Sequence, residues 1–252
     1  MPHPILEPSR RNPALASQCA LAVMAKAPRP GKVKTRLSPP LTAEQAAALN
    51  ICFLRDTTSN IAEVAATSNA SGVVCYTPVG DEGLFDDLLP SGFKLIAQRG
   101  DGFGERLLAA AEDILACGFG AVCLINSDSP TLPASALRAA AEALSRPGDR
   151  IVLGGSSDGG YYLIGLKAPR PEPFADIHWS TATVYRETVA AIAHAGVELV
   201  ELPVWYDVDD AETLKLLQDE LLRRIPPPFA AALGYPAPHS RSFLLEAAGV
   251  SK

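Results

Sequence analysis

The strongest constraint in this sequence is the alternation of short apolar runs with longer helical stretches. The runs have the length and residue types of β-strands, and they cover residues 20–25, 72–77, 94–98, 121–125, 150–153, 161–166 and 197–208. Helical patterns run from a capping box at Thr42 to about residue 66 and over residues 104–117 and 133–145. Two further helices are predicted to start at Ser180 and at Asp209. This alternation predicts one α/β domain with a mixed, mostly parallel central sheet and helices on both faces.

The composition of the chain is that of a globular protein, and it excludes several other classes. The 252 residues are 48% hydrophobic and 20% charged. The sequence contains no uninterrupted run of about 18 apolar residues, which is the length that a membrane-spanning helix needs. The formal net charge of −6 argues against general attraction to nucleic acid or to anionic lipid. The five cysteines are scattered without a C-x-x-C pair, which argues against a disulfide framework or a zinc knot. We therefore expect a cytoplasmic protein with no nucleic-acid or membrane partner.

Two extensions are predicted to flank the domain. Residues 1–18 contain an Arg-Arg pair before a short apolar stretch, but export cleavage at that point would remove the first strand. This segment is interpreted as a flexible N-terminal extension. The prolines at 226, 227 and 228 end the last helix predicted for the domain, and residues 226–252 are rich in Pro and Ala. The domain is thus predicted to cover residues 19–225.

The loop after the first predicted strand concentrates positive charge in an acidic chain. Five of the eleven residues from 26 to 36 are cationic: Lys26, Arg29, Lys32, Lys34 and Arg36. Pro28, Pro30 and Gly31 turn and stiffen the backbone, so the loop is shaped as well as charged. Ligands of open α/β sheets bind at the carboxyl ends of the strands, where such a loop suits a di- or triphosphate. A solvated basic loop is the simpler alternative.

Two familiar nucleotide-binding signatures are missing from the sequence of this loop. A P-loop requires G-x-x-x-x-G-K-[ST], but Lys26 stands at the first glycine and Val33 stands where Ser or Thr would bind magnesium. No G-x-G-x-x-G follows the first strand, which argues against a Rossmann dinucleotide site. Glycines at 100, 102 and 104 would let a ligand approach the backbone after the third strand, although Gly-rich turns before helices are common.

Aspartates follow two other predicted strands and indicate a metal site. Asp128 comes soon after the apolar run 121–125. Desolvation of a carboxylate at such a position is unfavourable unless a cation or hydrogen-bond donors compensate its charge. Mg²⁺ or Mn²⁺ commonly bridges one or two carboxylates to substrate phosphates. Asp207 and Asp209 lie two residues apart at the end of the last strand, so they share one side and either could complete the site. Helix capping is the alternative role for Asp128 and, more strongly, for Asp209.

The segment after the fifth predicted strand has the pattern of a β-hairpin. Its turn residues, Asp158, Gly159 and Gly160, join two strands that are too close in sequence for a parallel crossover. The turn could also contact an acceptor. His178 and Trp179 follow a Pro-rich loop and could form an acceptor pocket or lid, or His178 could be a solvated loop residue.

Taken together, these segments resemble the bacterial GT-A-type transferases usually labelled radical-SAM/selenodomain-associated transferases. The resemblance spans about residues 20–220, and it rests on AKAP (25–28), PGKVKTRL (30–37), GFGERL (102–107), SDSP (127–130), DGGYYLIGL (158–166) and DVD (207–209). It implies a GT-A, nucleotide-diphospho-sugar transferase-like fold that is related to nucleotidyltransferases. It also implies that the first loop cradles the nucleotide phosphates and that Asp128 is the metal-binding aspartate. The Asp-x-Asp of metal-dependent glycosyltransferases is reduced here to Asp128 beside Asn126 and Ser129.

The residues and the resemblance together predict four sets of site residues. The catalytic candidates are Asp128 and Asp158. The nucleotide- and phosphate-binding candidates are Ala25, Lys26, Pro28, Gly31, Lys32, Lys34, Thr35, Arg36, Gln98, Gly104 and Arg106. The acceptor candidates are Gly159, Gly160, Tyr161, His178 and Trp179. The candidate ligands for Mg²⁺ or Mn²⁺ are Asp128, Asp207 and Asp209.

The leading hypothesis is a transferase that passes a group, a sugar in the favoured case, from a nucleotide-activated donor to a small acceptor with a divalent metal. The first alternative is a nucleotidyltransferase, in which the α-phosphorus of a triphosphate is attacked and pyrophosphate is released. The second is a catalytically silent nucleotide-binding module whose Pro-rich tails dock a partner. The sequence identifies no general base, and it is compatible with either a monomer or a homodimer.

Overall fold

Seven strands form the central sheet of the computed structural model, which describes residues 2–230, 232–247 and 249. The strands are β1 (Cys19–Lys26), β2 (Ala70–Thr77), β3 (Lys94–Ala97), β4 (Ala121–Ile125), β5 (Arg150–Ser156), β6 (Tyr161–Leu166) and β7 (Glu198–Trp205). Their order across the sheet is β3-β2-β1-β4-β6-β5-β7. Each strand lies where the sequence predicts one, with bounds that differ by a few residues.

Six of these strands run in one direction, and β6 opposes them. The pairs β1–β2, β1–β4, β2–β3 and β5–β7 are parallel, whereas β6 is antiparallel to both β4 and β5. β5 and β6 form the predicted hairpin. The carboxyl ends of β1, β4, β5 and β7 therefore meet at one edge of the sheet, together with the first residue of β6.

Helices cover both faces of the sheet. They are α1 (Ala43–Ala65), α2 (Phe103–Ala116), α3 (Ala134–Ser145), α4 (Val184–His194), α5 (Ala211–Arg223) and α6 (Pro238–Ala247). α1, α3 and α5 cover one face through buried side chains such as Phe53, Leu137 and Leu217. α2 and α4 cover the other through Ile114 and Ile192. The predicted α/β class with a mostly parallel sheet is thus confirmed. None of the described helices is long and apolar enough to cross a bilayer.

The start of α1 agrees with the sequence, whereas the start of α4 does not. The Thr42 hydroxyl accepts from Gln45 N at 3.2 Å, and the Gln45 side chain accepts from Thr42 N at 2.9 Å, which completes the capping box. α4 begins at Val184 rather than at Ser180. The reason is local, because Ser180 has a φ of +64°, outside the region of a right-handed helix.

A different aspartate from the expected one caps α5. Asp210 is the capping residue, and its Oδ1 accepts from Glu212 N at 3.1 Å and from Thr213 N at 2.9 Å. Capping is the alternative role that the sequence allows for Asp209, but its carboxylate binds two cations of the first loop instead. The long-range ion pairs thus decide between two neighbouring side chains that could each cap the helix.

Both terminal segments pack on the domain. Leu6 N donates to Leu95 O at 2.7 Å, and Leu95 N donates to Pro4 O at 2.9 Å, so the N-terminal segment runs beside β3. The outer side of β3 has unpaired backbone groups, which supply these hydrogen-bond partners. α6 lies against α1, where Asp56 accepts from Ser240 N at 2.8 Å. The boundaries at residues 18 and 225 stay a prediction.

Candidate functional site

The loops at the carboxyl edge of the sheet enclose a cavity of about 290 Å³. It lies where β1, β4 and β7 end, so the loops that follow these three strands all contribute to it. Its lining residues are Lys26, Lys32, Val33, Lys34, Thr35, Arg36, Asn50, Ser127, Asp128 and Asp209. Seven of them are residues that the sequence predicts as phosphate, catalytic or metal-binding candidates. The volume is near the lower limit for ligand-binding pockets, which run from about 300 Å³ upwards.

A larger cavity, of about 650 Å³, opens at the opposite edge of the sheet near the amino ends of β1 and β4. Its charged lining residues are Glu142 and Lys167. The Lys167 ammonium already donates to the carbonyls of Arg146 and Gly148, at 2.6 and 2.8 Å. We place the candidate site at the smaller cavity, because convergent charged groups rather than volume would bind a polyanionic ligand.

The backbone of the first loop determines which of its lysines enters the protein. Val33 and Leu37 are buried and anchor the loop to the core. Gly31 has a φ of +70° and open space around the position of a Cβ, so the turn itself requires the glycine. Lys34 is also left-handed, with a φ of +49°, and precedes the short 3₁₀ helix Thr35–Leu37. This turn directs the Lys34 side chain inward, where it is only 5% exposed.

The cations of the first loop divide into paired and unpaired ones. Arg29 forms a bidentate pair with Asp81, at 2.8 and 2.5 Å, and does not line the cavity. Lys34 and Arg36 bind the aspartates described below. Lys26 and Lys32 are exposed, line the cavity and have no ion-pair partner among residues 2–230, 232–247 and 249. They are the positive charges that remain for an anionic ligand.

Lys34 is a buried counter-ion of the aspartates. Its Nζ lies 2.7 Å from Asp128 Oδ1, and it donates to Asp209 Oδ1 at 2.9 Å and to Val208 O at 2.8 Å. An ammonium has three N–H donors, so these acceptors saturate it. Burial alone would lower the pKa of Lys34, but the two carboxylates outweigh burial and raise it above the ordinary value. Lys34 therefore stays charged, and it binds carboxylates where the sequence predicts a phosphate ligand.

Asp207 lies in a crowded acidic environment. Its Oδ1 accepts from Ser156 Oγ. Burial raises the pKa of Asp207 to about 6, against the effect of the Ser156 hydrogen bond. Three neighbouring carboxylates add to the shift, those of Asp158, Asp209 and Asp128. The loops after β4, β5 and β7 thus bring negative charges together at this edge, and burial of that charge is unfavourable unless a cation compensates it.

The chemistry of this cluster suits a divalent metal ion. All candidate ligands are carboxylate oxygens, which Mg²⁺ and Mn²⁺ prefer, and Asp128 and Asp209 already converge on the ammonium of Lys34. Asp209 uses both oxygens on cations, because Arg36 donates to its Oδ2 at 3.0 Å. In the described part of the chain, Asp128 Oδ2 and Asp207 Oδ2 have no hydrogen-bond partner. No three His, Cys, Asp or Glu side chains there are close enough to hold a metal by themselves. A metal would therefore need oxygen ligands from the substrate.

An aromatic cluster lies on the α2 and α4 side of the same edge. Trp179 packs edge-on against Phe103, with ring centroids 5.1 Å apart, and against Tyr161, with centroids 6.2 Å apart. Gly104 permits this approach, because a Cβ there would lie 2.7 Å from Trp179 Nε1. Phe103 is 48% exposed, so the cluster presents apolar surface to solvent. Gly104, predicted as a phosphate contact, thus packs against the indole.

Pairing of β6 with β4 places the start of β6 beside the loop that follows β4. Asn126 N donates to Tyr162 O at 2.9 Å, which continues the β4–β6 ladder beyond the end of β4. Tyr161 precedes Tyr162, so the cluster begins beside the loop that carries Asp128. The predicted acceptor residues Tyr161 and Trp179 are therefore neighbours at the same edge as the cavity.

The loop that carries Trp179 is tied to the first turns of α4. Glu187 Oε2 accepts from His178 N at 2.8 Å and lies 3.2 Å from His178 Nδ1. Asp176 and Ser180, on either side, have left-handed φ values of +55° and +64°. Such conformations in residues other than glycine persist where the surrounding structure holds them. His178 thus helps to fix the loop, and its predicted contact with an acceptor stays a prediction.

Asp158 and two glycines form the β5–β6 turn. Asp158 Oδ1 accepts from Gly160 N at 2.8 Å. Gly159 has a φ of +91°, and a Cβ there would lie 2.2 Å from Ala182 O, so the turn packs closely on the segment before α4. Asp158 is exposed and has no cation partner among the residues that the structure describes. Its second oxygen is free to contact a ligand at this edge.

Six of the predicted phosphate-binding residues lie outside the lining of the cavity: Ala25, Pro28, Gly31, Gln98, Gly104 and Arg106. Gln98 Nε2 donates to Cys75 O at 2.7 Å and to Ala25 O at 3.4 Å, so it ties the loop after β3 to β1 and β2. Ala25 is buried, and Pro28 is half-buried. Arg106 Nε is buried with no hydrogen-bond partner in the described residues. Their roles as nucleotide contacts stay predictions.

Four side chains at the site were not identified from the sequence: Asn50, Phe53, Ser127 and Ser156. Asn50 lines the cavity and is 8% exposed, and the Phe53 ring centroid lies 5.5 Å from Lys34 Nζ. Both lie on α1, three residues apart and hence on one face. A polar residue on the apolar face of a helix is a signal that could have found Asn50. The two serines have no comparable signal.

A family model matches the middle part of this chain. The model described as "Uncharacterized protein conserved in bacteria (DUF2064)" matches residues 60–181. That segment includes Asp128, Asp158 and Trp179, but neither the first loop nor Asp207. No match was found among curated proteins.

Solved structures share the fold of this chain. A crystal structure from Desulfovibrio desulfuricans G20, described as a candidate nucleotide-diphospho-sugar transferase, is 29% identical with a TM-score of 0.78, over 93% of this chain and 96% of that one. A CMP:2-keto-3-deoxy-manno-octonic acid synthetase complexed with CTP is 11% identical with a TM-score of 0.52, over 82% of this chain and 100% of that one. The bifunctional IspDF from Campylobacter jejuni is 13% identical with a TM-score of 0.50, over 79% and 53%. The last two show likeness of fold alone. The matches support the predicted superfamily, whereas the radical-SAM/selenodomain type stays a prediction.

Proposed function

We propose that this protein is a transferase that moves a group from a nucleotide-activated donor to a small acceptor at the carboxyl edge of its sheet. One observation carries the proposal: Lys26 and Lys32, without ion-pair partners in the described residues, line the same cavity as Asp128. The protein that is 29% identical supports it, since that protein is described as a candidate nucleotide-diphospho-sugar transferase. A sugar is the group that we expect to be transferred.

The phosphates of the donor would bind between the unpaired lysines and the aspartates. Lys26 and Lys32 supply point charges for phosphate oxygens, and the Thr35 hydroxyl lines the same cavity as a neutral donor. Arg36 lines it too, and its side chain is 73% exposed. Lys34 has the supporting role, because it holds the loops after β4 and β7 together from the inside.

A divalent ion, Mg²⁺ or Mn²⁺, would be held by Asp128 and Asp207 together with oxygens of the donor phosphates. Asp209 is the third ligand that the sequence predicts. When bound, such an ion neutralises charge that builds up on the leaving phosphate group. The pair Asp128 and Asp207 is favoured because each keeps one oxygen without a partner in the described residues. Asp209 instead binds Lys34 and Arg36.

The acceptor would bind between the β5–β6 turn and the aromatic cluster. Phe103 and Trp179 offer ring surface against which a sugar or another ring could pack. In the transfer, the acceptor oxygen forms a bond to the donor carbon, and the bond between that carbon and the phosphate oxygen breaks. The acceptor proton passes to a carboxylate, a role that we assign to Asp158, and the nucleoside diphosphate leaves.

The experiment that tests this function is a turnover assay over donors. Sugar nucleotides of adenine, cytosine, guanine, uracil and thymine are supplied with small acceptors and Mg²⁺ or Mn²⁺. Acceptor-dependent release of a nucleoside diphosphate, lost in Asp128→Asn and kept in Arg29→Met, would support the proposal. Pyrophosphate release from a nucleoside triphosphate and a phosphorylated acceptor would indicate a nucleotidyltransferase instead. Nucleotide binding without turnover of any donor would indicate a silent module, and failure to bind any nucleotide would overturn the proposal.

A further inference from the structure

We propose that Lys34 occupies the cation position between Asp128 and Asp209 and thereby prevents firm binding of a divalent metal until phosphate arrives. The metal would then enter the site with the nucleotide rather than before it. This inference deepens the proposed function and rests on it for the nucleotide step. The competition between Lys34 and the metal rests on the contacts alone.

The contacts of Lys34 are those of a bound ion rather than of a surface side chain. Its Nζ lies within 2.9 Å of one oxygen of each aspartate, and its third donor is used by Val208 O. With 5% exposure, the side chain leaves water little access to replace these partners. Phe53 covers it from the α1 side, with the ring centroid 5.5 Å from Nζ. Metal ligation by these two Oδ1 atoms would therefore have to displace a saturated ammonium, and ligation by the other oxygen of Asp128 would place the dication beside that ammonium.

The charges explain why the two cations exclude each other. A dication coordinated by Asp128 would lie close to the buried Lys34 ammonium, and the reduced dielectric of the site strengthens their repulsion. Without the ammonium, Asp128 and Asp209 would be two neighbouring carboxylates with exposed fractions of 32% and 30%. Asp209 would keep Arg36 as a cation partner, whereas Asp128 would keep none in the described residues, so its carboxylate would be a suitable ligand for a hard dication.

Phosphate would change this balance in favour of the metal. A diphosphate bound near Lys26 and Lys32 adds negative charge that offsets the repulsion between Lys34 and a dication. It also supplies oxygen ligands, which the side chains described do not provide as a complete set. The metal affinity of the protein should therefore depend strongly on the presence of phosphate.

Titration with Mn²⁺ alone, followed by the loss of the free-ion EPR signal, tests this without any turnover. We expect Lys34→Met to bind Mn²⁺ about 10- to 100-fold more tightly than the wild type. Lys32→Met is the matched control, because it removes the same charge from the same cavity, but Lys32 contacts no carboxylate among the described residues. We expect that control to change Mn²⁺ affinity by less than about threefold at physiological salt. Equal gains in the two variants, or no gain in Lys34→Met, would overturn the proposal.

A second variant and a wild-type measurement cover the case in which Lys34→Met does not fold. Lys34→Gln removes the charge but keeps a donor for Val208 O, and thermal unfolding checks both variants. In the wild type, inorganic pyrophosphate should tighten Mn²⁺ binding to the protein about tenfold, after correction for the complex that Mn²⁺ and pyrophosphate form in solution. Firm Mn²⁺ binding by the wild type without phosphate would overturn the proposal. If Lys34→Met gains Mn²⁺ affinity while no form binds a nucleotide, the proposed function fails and the inference about Lys34 stands.

Discussion

Removal of the unpaired charges at Lys26 or Lys32 should weaken nucleotide binding, whereas removal of the paired charge at Arg29 should not. Lys26 is the last residue of β1 and the other two lie on the loop that follows it, and each change to Met alters the net charge equally. Arg29 is already neutralised by Asp81, through contacts of 2.8 and 2.5 Å outside the cavity. Lys26 and Lys32 line the cavity and have no such partner in the described residues. The three variants thus separate a specific effect from one of net charge.

The expected size of the effect follows from Coulomb's law. Two unit charges about 4 Å apart interact with about 1 kcal/mol in water and about 4 kcal/mol near a protein surface of lower dielectric. Both lysines are exposed, so the lower part of this range applies. We expect a loss of about 1 to 2 kcal/mol for each lysine, which is about a 5- to 30-fold loss of affinity. The double variant Lys26→Met/Lys32→Met should lose more than either single variant.

Isothermal titration calorimetry with ADP, CDP, GDP and UDP in the presence of Mg²⁺ measures these affinities. The diphosphate that binds the wild type most tightly is then compared across the variants at about 0.15 M salt, where distant charges are screened. Because the contact is electrostatic, the difference between wild type and Lys26→Met should shrink as salt is raised. The reasoning is refuted if Arg29→Met weakens binding as much as the lysine variants do. It is refuted equally if both lysine variants bind within about twofold of the wild type.

Three further substitutions test the physical basis of the site and of the fold. Asp207 has a pKa raised to about 6 in the folded protein, so it favours folding when protonated, and that contribution is lost as the pH rises through about 6. Asp207→Asn should therefore raise the free energy of unfolding at pH 8 by up to about 3 kcal/mol, and this gain should shrink towards pH 4. Urea titrations at both pH values measure it, and an equal gain at pH 8 and pH 4 would contradict the reasoning. Asp56 is fully buried and accepts from Ser240 N and Oγ at 2.8 and 2.6 Å. Asp56→Ala should lower the free energy of unfolding by about 2 to 4 kcal/mol, because it leaves buried donors without a partner, and a loss below about 0.5 kcal/mol would argue against that role. Gly104→Ala should displace Trp179 and lower the free energy of unfolding by about 1 to 3 kcal/mol, because the added Cβ would lie 2.7 Å from the indole nitrogen. Unchanged tryptophan fluorescence in this variant would argue against the packing.

The fold could be predicted because its signals are local and repeated. Each strand is a short apolar run, and consecutive strands, except β2 and β3, are separated by a helical stretch or a tight turn. Parallel strands bring their carboxyl ends to one edge, so Asp128 and Asp209 could be expected together although they are far apart in sequence. Both now line one cavity.

Which lysine of the first loop is buried could not be predicted in the same way. Lys32 and Lys34 are separated by a single residue and have identical side chains, so no local pattern distinguishes them. The left-handed turn at Lys34 and the ring of Phe53 direct one of them inward. Likewise, adjacent acidic residues could each cap α5, and the choice of Asp210 follows from ion pairs between Asp209 and the distant first loop. Long-range contacts of this kind are absent from local sequence patterns.

A crystal structure of the protein with a nucleoside diphosphate and Mn²⁺ tests the central claim most directly. Anomalous scattering locates the manganese, and the electron density locates the phosphates. We predict phosphate oxygens within hydrogen-bond distance of the ammonium groups of Lys26 and Lys32, with manganese bound to Asp128 and Asp207. Phosphates bound elsewhere, for example in the larger cavity beside Lys167 at the opposite edge of the sheet, would contradict the account.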